Sequence, residues 1–278
     1  MSADDKYPEE SGRRRFVKGV VGGSALAGVG ALGTATVNSA TASPGAGGGT
    51  TQAWAIENTG GPAPRGMPQI PLEIDSEGYV KGIWPEVETV TQGGRQIKIA
   101  EMELGGETYS SEWYQYCGVE GYQGIQPSYE SDNYFRSGSN PAYDWQAQSK
   151  EQGDRFHVDD FSNYETWGNG IGTAGVGKPA TGTWRSQDAE DIVPIQLIRS
   201  TRIEEAAKDD EWLQASTAEG FIAWLNKCTH FCCVPGYKQS LDADRFGNPN
   251  HVYCQCHQSM YDPFSIVQTL FVARPRPD

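Results

Sequence analysis

Short segments of alternating apolar and polar residues recur along the chain, separated by Gly, Pro, Asn or Ser. The alternation covers residues 79–84 and 96–100, and continuous apolar runs lie at 192–198 and 221–225. A period of two residues is typical of a half-buried strand, and a short apolar run between turn signals is typical of a buried one. Residues 202–213 predict one short helix. The chain is therefore expected to be mainly β.

The middle of the chain has no sustained period. Residues 106–185 are dominated by Gly, Tyr, Ser, Asn and Asp, which favour turns over regular elements. A stretch of this length and composition within a compact domain is typical of an insertion made of loops. We predict a large loop-rich insertion at 106–185, inside one domain that spans residues 53–278.

The N-terminal segment has the features of an export signal. It carries the run Arg13-Arg14-Arg15-Phe16-Val17-Lys18, and no charged side chain lies between Gly19 and Ile56. The run matches the twin-arginine pattern with one conservative change, and twin-arginine signals are read by a receptor that passes folded proteins. We predict a cytoplasmic region at 1–18 and an apolar signal or anchor at 19–42.

The apolar part of this segment, Val20 to Val37, has about the length that a bilayer requires. It can be cleaved after Ala42 or retained as a single-pass anchor, and the positive residues before it favour an extracytoplasmic domain at the cell membrane. Residues 43–52 are rich in Gly, Ser and Thr and are expected to form a flexible linker. The linker is either a hinge or a solvated spacer.

Charge excludes one class of partner. The 278 residues include 36 acidic and 22 basic side chains, for a net charge of −14. A nucleic-acid-binding protein needs a basic surface, so nucleic acid is not expected as a partner. The acidity and the low lysine content favour a protein adapted to high salt, where screening removes most self-repulsion. An ordinary acidic protein remains the alternative.

Two short blocks near the C-terminus carry the candidate chemistry. Cys228-Thr229-His230-Phe231-Cys232-Cys233 is called loop one, and Cys254-Gln255-Cys256-His257-Gln258-Ser259 is called loop two. Each offers a thiolate and an imidazole at close spacing, and a 2Fe-2S cluster can place both thiolates on one iron and both imidazoles on the other. Neutral imidazoles raise the potential to roughly −150 to +300 mV. The blocks predict an iron-sulfur centre.

Zinc is the alternative metal for these residues, because zinc fingers use two cysteines and two histidines. A Cys-x-His step is unlike the usual zinc spacing of two cysteines separated by two to four residues. Zinc also gives no role to the additional cysteines and hydroxyl groups of the two blocks. The iron-sulfur interpretation is therefore preferred.

The two blocks resemble the boxes C-T-H-x-G-C and C-P-C-H-G-S of the Rieske iron-sulfur family. The resemblance implies an all-β, antiparallel Rieske-type domain with a cluster-binding subdomain at 226–263 and one 2Fe-2S cluster per subunit. It also implies the residue roles: Cys228 and Cys254 bind one iron, His230 and His257 bind the other, Cys233 and Cys256 form a disulfide, and Ser259 and Tyr261 donate hydroxyl hydrogen bonds to cluster sulfurs.

The chain departs from the family pattern at four places. Cys232 and Gln258 stand where the family has Gly, so each turn either avoids a positive φ or accepts strain. Gln255 replaces the usual Pro, and residues 234–253 make a longer connection than usual. In addition, residues 61–72 resemble the family's proline loop, which follows the second box in the family but precedes loop one here. We expect this segment to fold next to the core domain.

The resemblance implies a quinol-oxidising subunit of a membrane complex. His257, and with it His230, would face a bound quinol, while Phe231 forms an apolar rim around the cluster. The implied partners are a cytochrome b-type subunit, quinol, and a cytochrome c or small copper protein as electron acceptor. The chain would be anchored to the membrane by its N-terminal helix.

Other functions share part of this pattern. The Rieske subunit of an exported molybdenum oxidase or of a nitrate-respiration complex has the same signal and boxes. A soluble ferredoxin lacks the signal and the disulfide, and an oxygenase needs a second iron site for which only His157 and His251 remain, more typical of surface or core positions. Cys117 and Cys232 either pair with each other or stay free.

Overall fold

A computed structural model of the protein describes residues 50–92, 94–116 and 118–272. The predicted cytoplasmic region, the apolar segment and most of the linker lie outside these residues. Within the described ranges, none of the helices combines the length and the apolar character that crossing a membrane requires.

Strands account for most of the regular structure. In chain order they are β1 (Thr50–Gly60), β2 (Met67–Ile70), β3 (Leu72–Ile74), β4 (Val80–Gly82), β5 (Val87–Gln92), β6 (Arg95–Leu104), β7 (Glu107–Ser110), β8 (Arg136–Ser137), β9 (Lys178–Thr183), β10 (Pro194–Arg199), β11 (Phe221–Leu225), β12 (Gly236–Tyr237), β13 (Val252–Tyr253) and β14 (Met260–Val272). The helices are short: Asp144–Ser149, Thr201–Ala206, Glu211–Ser216 and Asp242–Arg245, with 3₁₀ turns at Ser111–Tyr114, Val119–Gly121, Gln123–Ile125 and Val158–Phe161.

One nine-stranded sheet organises the domain. Its order is β12-β13-β14-β1-β2-β11-β10-β9-β8, and the neighbouring strands pair antiparallel. A two-stranded sheet, β3-β4, and a three-stranded sheet, β5-β6-β7, complete the described β structure. The prediction of a mainly β, antiparallel fold is confirmed.

The central strand β11 shows why this sequence forms a sheet between two cores. All five of its residues are buried. Phe221, Ala223 and Leu225 belong to the larger core, whereas Ile222 and Trp224 belong to a smaller one. Successive side chains of a strand point to opposite faces, so an unbroken apolar run fills both cores at once. The smaller core also contains Cys228, Cys254 and Tyr261, so it lies beneath the candidate site.

Several sequence-based elements are confirmed. The structure has a strand over 221–225 as expected, and β4, β6 and β10 overlap the other predicted strands. The single helix predicted for 202–213 is wrong, because two helices separated by residues 207–210 occupy this region. Asp210 accepts a hydrogen bond from the Leu213 amide at 2.8 Å. This side-chain cap begins a new helix and so breaks the run.

The 106–185 segment is loop-rich but also contributes to the main sheet. It supplies β8 and the buried strand β9 to the main sheet, where β9 pairs with β10 over six residues, and it supplies β7 to the three-stranded sheet. Its loops also carry buried aromatic side chains into the larger core, among them Trp113, Phe135, Phe161 and Trp184. The segment is therefore tied into the fold along much of its length.

Candidate metal centre

Loop one and loop two have the same backbone hydrogen bonds. In loop one the amide of Cys228 donates to Cys233 O (2.7 Å) and the amide of Cys232 donates to Cys228 O (3.1 Å). In loop two Cys254 and Gln258 donate in the same way, to Ser259 O (2.9 Å) and Cys254 O (2.8 Å). Each loop is thus a closed six-residue turn that begins with a cysteine.

Each turn has a left-handed residue at the same position. The φ angle is 60° at Cys232 and 62° at Gln258. These are the two positions at which the family has Gly, and the structure shows that the chain accepts the positive φ rather than avoiding it. A side chain in this conformation costs on the order of 1 kcal/mol. The turn geometry is maintained despite that cost.

The two candidate sulfur ligands lie in contact. Cys228 and Cys254 are 1% and 0% exposed, and their thiols hydrogen-bond to each other. Backbone amides two and three residues further along each turn donate to the sulfur of that turn, and the Tyr261 hydroxyl donates to Cys228 Sγ at 3.1 Å. Five donors, four backbone amides and one hydroxyl, therefore surround a buried sulfur pair.

The electrostatics of this pair are those of a site for positive charge. The contact with Cys254, together with the Tyr261 hydroxyl, holds the pKa of Cys228 below its ordinary value, and the same contact and burial raise the pKa of Cys254. Loss of the proton from one thiol therefore disfavours loss of the proton from the other. A metal cation bound there would stabilise both thiolates.

The two candidate imidazole ligands also lie together. The ring centroids of His230 and His257 are 4.8 Å apart, with an interplanar angle of 81°. Nδ1 of His230 is buried and has no hydrogen-bond partner among the described residues, whereas His257 is exposed. A buried, unsatisfied imidazole nitrogen is costly in a folded protein unless a ligand satisfies it. The donor set fits a metal cluster.

Phe231 packs against both imidazoles. Its ring centroid lies 4.4 Å from that of His230 and 5.0 Å from that of His257. The side chain is nevertheless 65% exposed, as is much of Val234, at 59%. Two apolar side chains of this region, Phe231 and Val234, are therefore exposed to solvent.

The disulfide expected between Cys233 and Cys256 is present. It joins the end of loop one to the middle of loop two, across a Cα–Cα distance of 6.6 Å. Sγ of Cys233, Cys254 and Cys256 all lie within 4.8 Å of one another, so the disulfide is adjacent to a candidate ligand. This cysteine group could bind a metal or cluster. Cys232 has no disulfide partner among the described residues, and Cys117 lies outside them, so the pairing of these two stays a prediction.

The segment that resembles a proline loop contacts both turns. This proline loop, Gly61–Gly66, connects β1 to β2. The Ala63 amide donates to Ser259 Oγ at 3.1 Å, and Thr229 Oγ1 donates to Arg65 O at 2.6 Å. Gly61 has a φ of 81°, and a Cβ there would lie 2.5 Å from Ser259 Cα. The segment is early in the sequence but lies beside the site, as expected for a neighbour of the core domain.

The hydrogen bond from the proline loop to Ser259 leaves the Ser259 hydroxyl proton free. Its side chain is fully buried, and its oxygen already accepts from the Ala63 amide. A hydroxyl that accepts one hydrogen bond keeps its own proton free to donate. Ser259 therefore has a donor available, and Tyr261 already uses its donor on Cys228.

The long connection between the loops, residues 234–253, packs on the 106–185 segment. Tyr237 O accepts from the Tyr143 hydroxyl, and the Lys238 ammonium donates to Thr173 O at 2.6 Å. Asn250 Oδ1 accepts from the Thr173 amide at 2.9 Å. The long connection and the 106–185 segment therefore pack against each other.

Three features around the site were not predicted from the sequence. The Tyr116 hydroxyl donates to Lys227 O, just before loop one, at 2.9 Å. Lys238 is 1% exposed, and burial lowers its pKa to about 8. Arg65 stacks on Phe271 at 4.0 Å. Each joins segments far apart in the chain, so no local pattern signals it.

The two remaining histidines have structural contacts. His157 caps the 3₁₀ turn Val158–Phe161 and bonds to Glu77 O at 2.7 Å. His251 contacts Thr59 at 3.1 Å and Asn248 at 2.6 Å.

No protein-family model matches the chain. Neither a curated protein nor a solved structure was found to be similar to it. The mainly β fold, the disulfide and the cysteine group are compatible with a Rieske-like domain.

Proposed function

We propose that this chain is the Rieske 2Fe-2S electron-transfer subunit of a membrane quinol-oxidising complex. It takes an electron and a proton from quinol and passes the electron to a cytochrome c or a small copper protein. The observation that carries the proposal is the pairing of donors: two buried thiols in contact, and two imidazoles in contact further out. A cluster with two sulfur and two nitrogen ligands requires this separation.

The residue roles follow from the same geometry. Cys228 and Cys254 would hold one iron of the cluster, and His230 and His257 would hold the other. When bound, the cluster supplies a one-electron carrier of moderately high potential. Tyr261 donates to the Cys228 sulfur and burial holds the pKa of its hydroxyl well above the usual range. The hydroxyl therefore stays protonated and stabilises added negative charge on that sulfur.

His257 carries the proton chemistry. It is exposed, whereas the buried Nδ1 of its neighbour His230 faces away from solvent. The ring nitrogen of His257 that does not bind metal accepts the quinol proton, because imidazole is the side chain that exchanges protons near neutral pH. Phe231 lies against both rings and excludes water from this contact.

A redox titration at several pH values tests the proposal. We expect a midpoint between roughly −150 and +300 mV that falls as the pH rises, because the reduced centre holds an imidazole proton more tightly. His251→Gln, a change at a histidine outside the donor set, leaves this slope unaltered. A midpoint that stays flat from about pH 6 to pH 11 contradicts proton-coupled quinol oxidation.

A further inference from the structure

The disulfide lies next to a thiol that it does not use. Sγ of Cys254 is within 4.8 Å of both sulfurs of the Cys233–Cys256 disulfide. Cys254 is fully buried, Cys233 is half-buried against the smaller core, and Cys256 is exposed. Opening the disulfide would therefore leave three thiols in one small volume, with one side reachable from solvent.

We propose that reduction of this disulfide creates a second metal site, a three-thiolate site of Cys233, Cys254 and Cys256 for a soft or borderline d¹⁰ cation such as Zn²⁺. A dithiol reductant supplies two electrons and two protons; the S–S bond breaks, two thiols form and the dithiol becomes a disulfide. On binding the cation the three thiols lose their protons. Solvent completes the coordination on the side of Cys256.

The distances permit this with small movements. Zn–S bonds are about 2.3 Å long, which places tetrahedral ligand sulfurs about 3.8 Å apart. The three Sγ atoms now lie within 4.8 Å of one another, so the zinc geometry requires shifts of about 1 Å. Opening the disulfide frees its two sulfurs to make these shifts. The Cys256 and His257 amides already donate to the Cys254 sulfur. Such donors stabilise a bound thiolate.

The two centres exclude each other because both use Cys254. When the disulfide is intact, Cys254 can act with Cys228 as a ligand of the proposed cluster. With the disulfide open, the three-thiolate site competes for the same sulfur. The inference depends on the proposed function only for this competition, since the three-thiolate site itself needs no cluster.

Cadmium titration of the metal-free, full-length chain tests the inference, because bound Cd²⁺ gives a thiolate charge-transfer absorption band. The background is His230→Ala/His257→Ala, which removes the imidazoles. One sample keeps its disulfide; in the other a phosphine and water convert the disulfide to two thiols and a phosphine oxide, without adding a competing thiol. We expect the reduced chain to bind one Cd²⁺ at least about 100-fold more tightly than the oxidised chain.

Matched variants assign the sulfurs. Cys233→Ser and Cys256→Ser should each abolish the difference between reduced and oxidised chains, whereas Cys232→Ser, at the neighbouring cysteine, should keep it. Equal affinity of the oxidised and reduced chains, or an equal loss in Cys232→Ser, overturns the inference. The wild-type chain provides a measurement without substitutions: its reduced form should show a stronger cadmium-thiolate band than its oxidised form, and an unchanged band overturns the inference.

The outcome is separable from that of the proposed function. Failure of the three-thiolate site appears as absent tight Cd²⁺ binding in the reduced His230→Ala/His257→Ala chain, which cannot hold the proposed cluster in any case. Failure of the proposed function appears as a missing 2Fe-2S signal in the oxidised wild-type chain. Neither result determines the other.

Discussion

Loop one exposes only Phe231 among its six residues, whereas loop two exposes four residues in succession, Gln255 to Gln258. Their backbone hydrogen bonds and left-handed positions are nevertheless the same. Loop one is held by Tyr261 and by Thr229, and its start by Tyr116. Loop two is held at its end by Ser259 and through a connection braced by the 106–185 segment.

The comparison shows that the backbone of the two loops is alike, whereas the contacts around them differ. The shared backbone presents a sulfur and an imidazole from each turn in the same way. The unequal surroundings then make loop one the more enclosed half and loop two the more exposed half. Equivalent substitutions in the two loops should therefore change the backbone strain of each turn equally. Substitutions in the contacts around the loops should have unequal effects.

The disulfide is the link between the halves, and its loss should have the largest effect. Cys233→Ser and Cys256→Ser should each lower the free energy of unfolding by roughly 3 kcal/mol, because the bridge closes a loop of sequence separation 23. Chemical denaturation under oxidising conditions measures this. Cys232→Ser is the control and should change stability by less than about 0.5 kcal/mol. A similar loss in the control would show that loop one, and not the bridge, is sensitive.

The proline loop should be more sensitive on the side of loop two than on that of loop one. Gly61→Ala places a Cβ 2.5 Å from Ser259 Cα and forces a positive φ on Ala, so we expect a loss of about 2 kcal/mol. Thr229→Val removes the hydrogen bonds of the Thr229 hydroxyl with Arg65 O and with Tyr261 without straining the backbone, and we expect the smaller loss of about 1 kcal/mol. Thermal unfolding of both variants gives the comparison. An equal or reversed order would contradict the close approach at Gly61.

Lys238 reports on the connection that carries loop two. Burial lowers its pKa to about 8 from 10.5, so the unfolded chain binds more protons between these pH values and stability should rise with pH there. Relative to Lys238→Met, the wild type should gain about 1–2 kcal/mol from pH 8 to pH 10.5. Urea denaturation across this range measures the difference. If the free energies of unfolding of the two proteins changed equally with pH, the Lys238 ammonium would be solvated and the prediction would be wrong.

Only loop one receives the tyrosine hydrogen bond. Tyr261→Phe should lower the midpoint by on the order of 60 mV, since one hydrogen bond to a charged sulfur is worth about 1.4 kcal/mol and this equals 59 mV for one electron. Tyr253→Phe, at a buried tyrosine that stacks on Phe246, should leave the midpoint unchanged. Protein-film voltammetry of both variants checks the prediction, which fails if the two midpoints move together.

The smallest effect should be equal in the two loops. Cys232→Gly and Gln258→Gly each relieve a positive φ, of 60° and 62°, and should each stabilise the protein by about 0.5–1 kcal/mol. Chemical denaturation of the single and double variants tests whether the gains match and add. A gain in only one loop would mean that the shared backbone is not equally strained.

The sequence predicted the local features of this site because they depend on neighbouring residues. The strand 221–225 and the two six-residue blocks follow from patterns a few residues long, and the resemblance of those blocks to the family boxes implied the pairing of Cys233 with Cys256. The helix expected over 202–213 failed at Asp210, where a side-chain cap outweighed the apolar spacing. The spacing of apolar residues along the chain does not reveal whether a side-chain cap will interrupt a helix.

Contacts between distant segments were harder to predict. Residues 61–72 were expected beside the core domain, but their bonds to Thr229 and Ser259 join positions 164 and 196 residues apart. The brace of Lys238 on Thr173 spans 65 residues. Such pairs depend on the sheet order, in which β1 lies between β14 and β2, and a composition-based view of 106–185 could not supply them.

The central claim is that two sulfurs and two ring nitrogens hold a pair of irons unequally. Pulsed EPR of the reduced protein, with ¹⁵N introduced only into histidine, tests it most directly. The account predicts hyperfine couplings from two imidazole nitrogens and their loss, together with the iron centre, in His230→Ala/His257→Ala. A signal without histidine nitrogen couplings, or an iron centre that survives the double substitution, would contradict it.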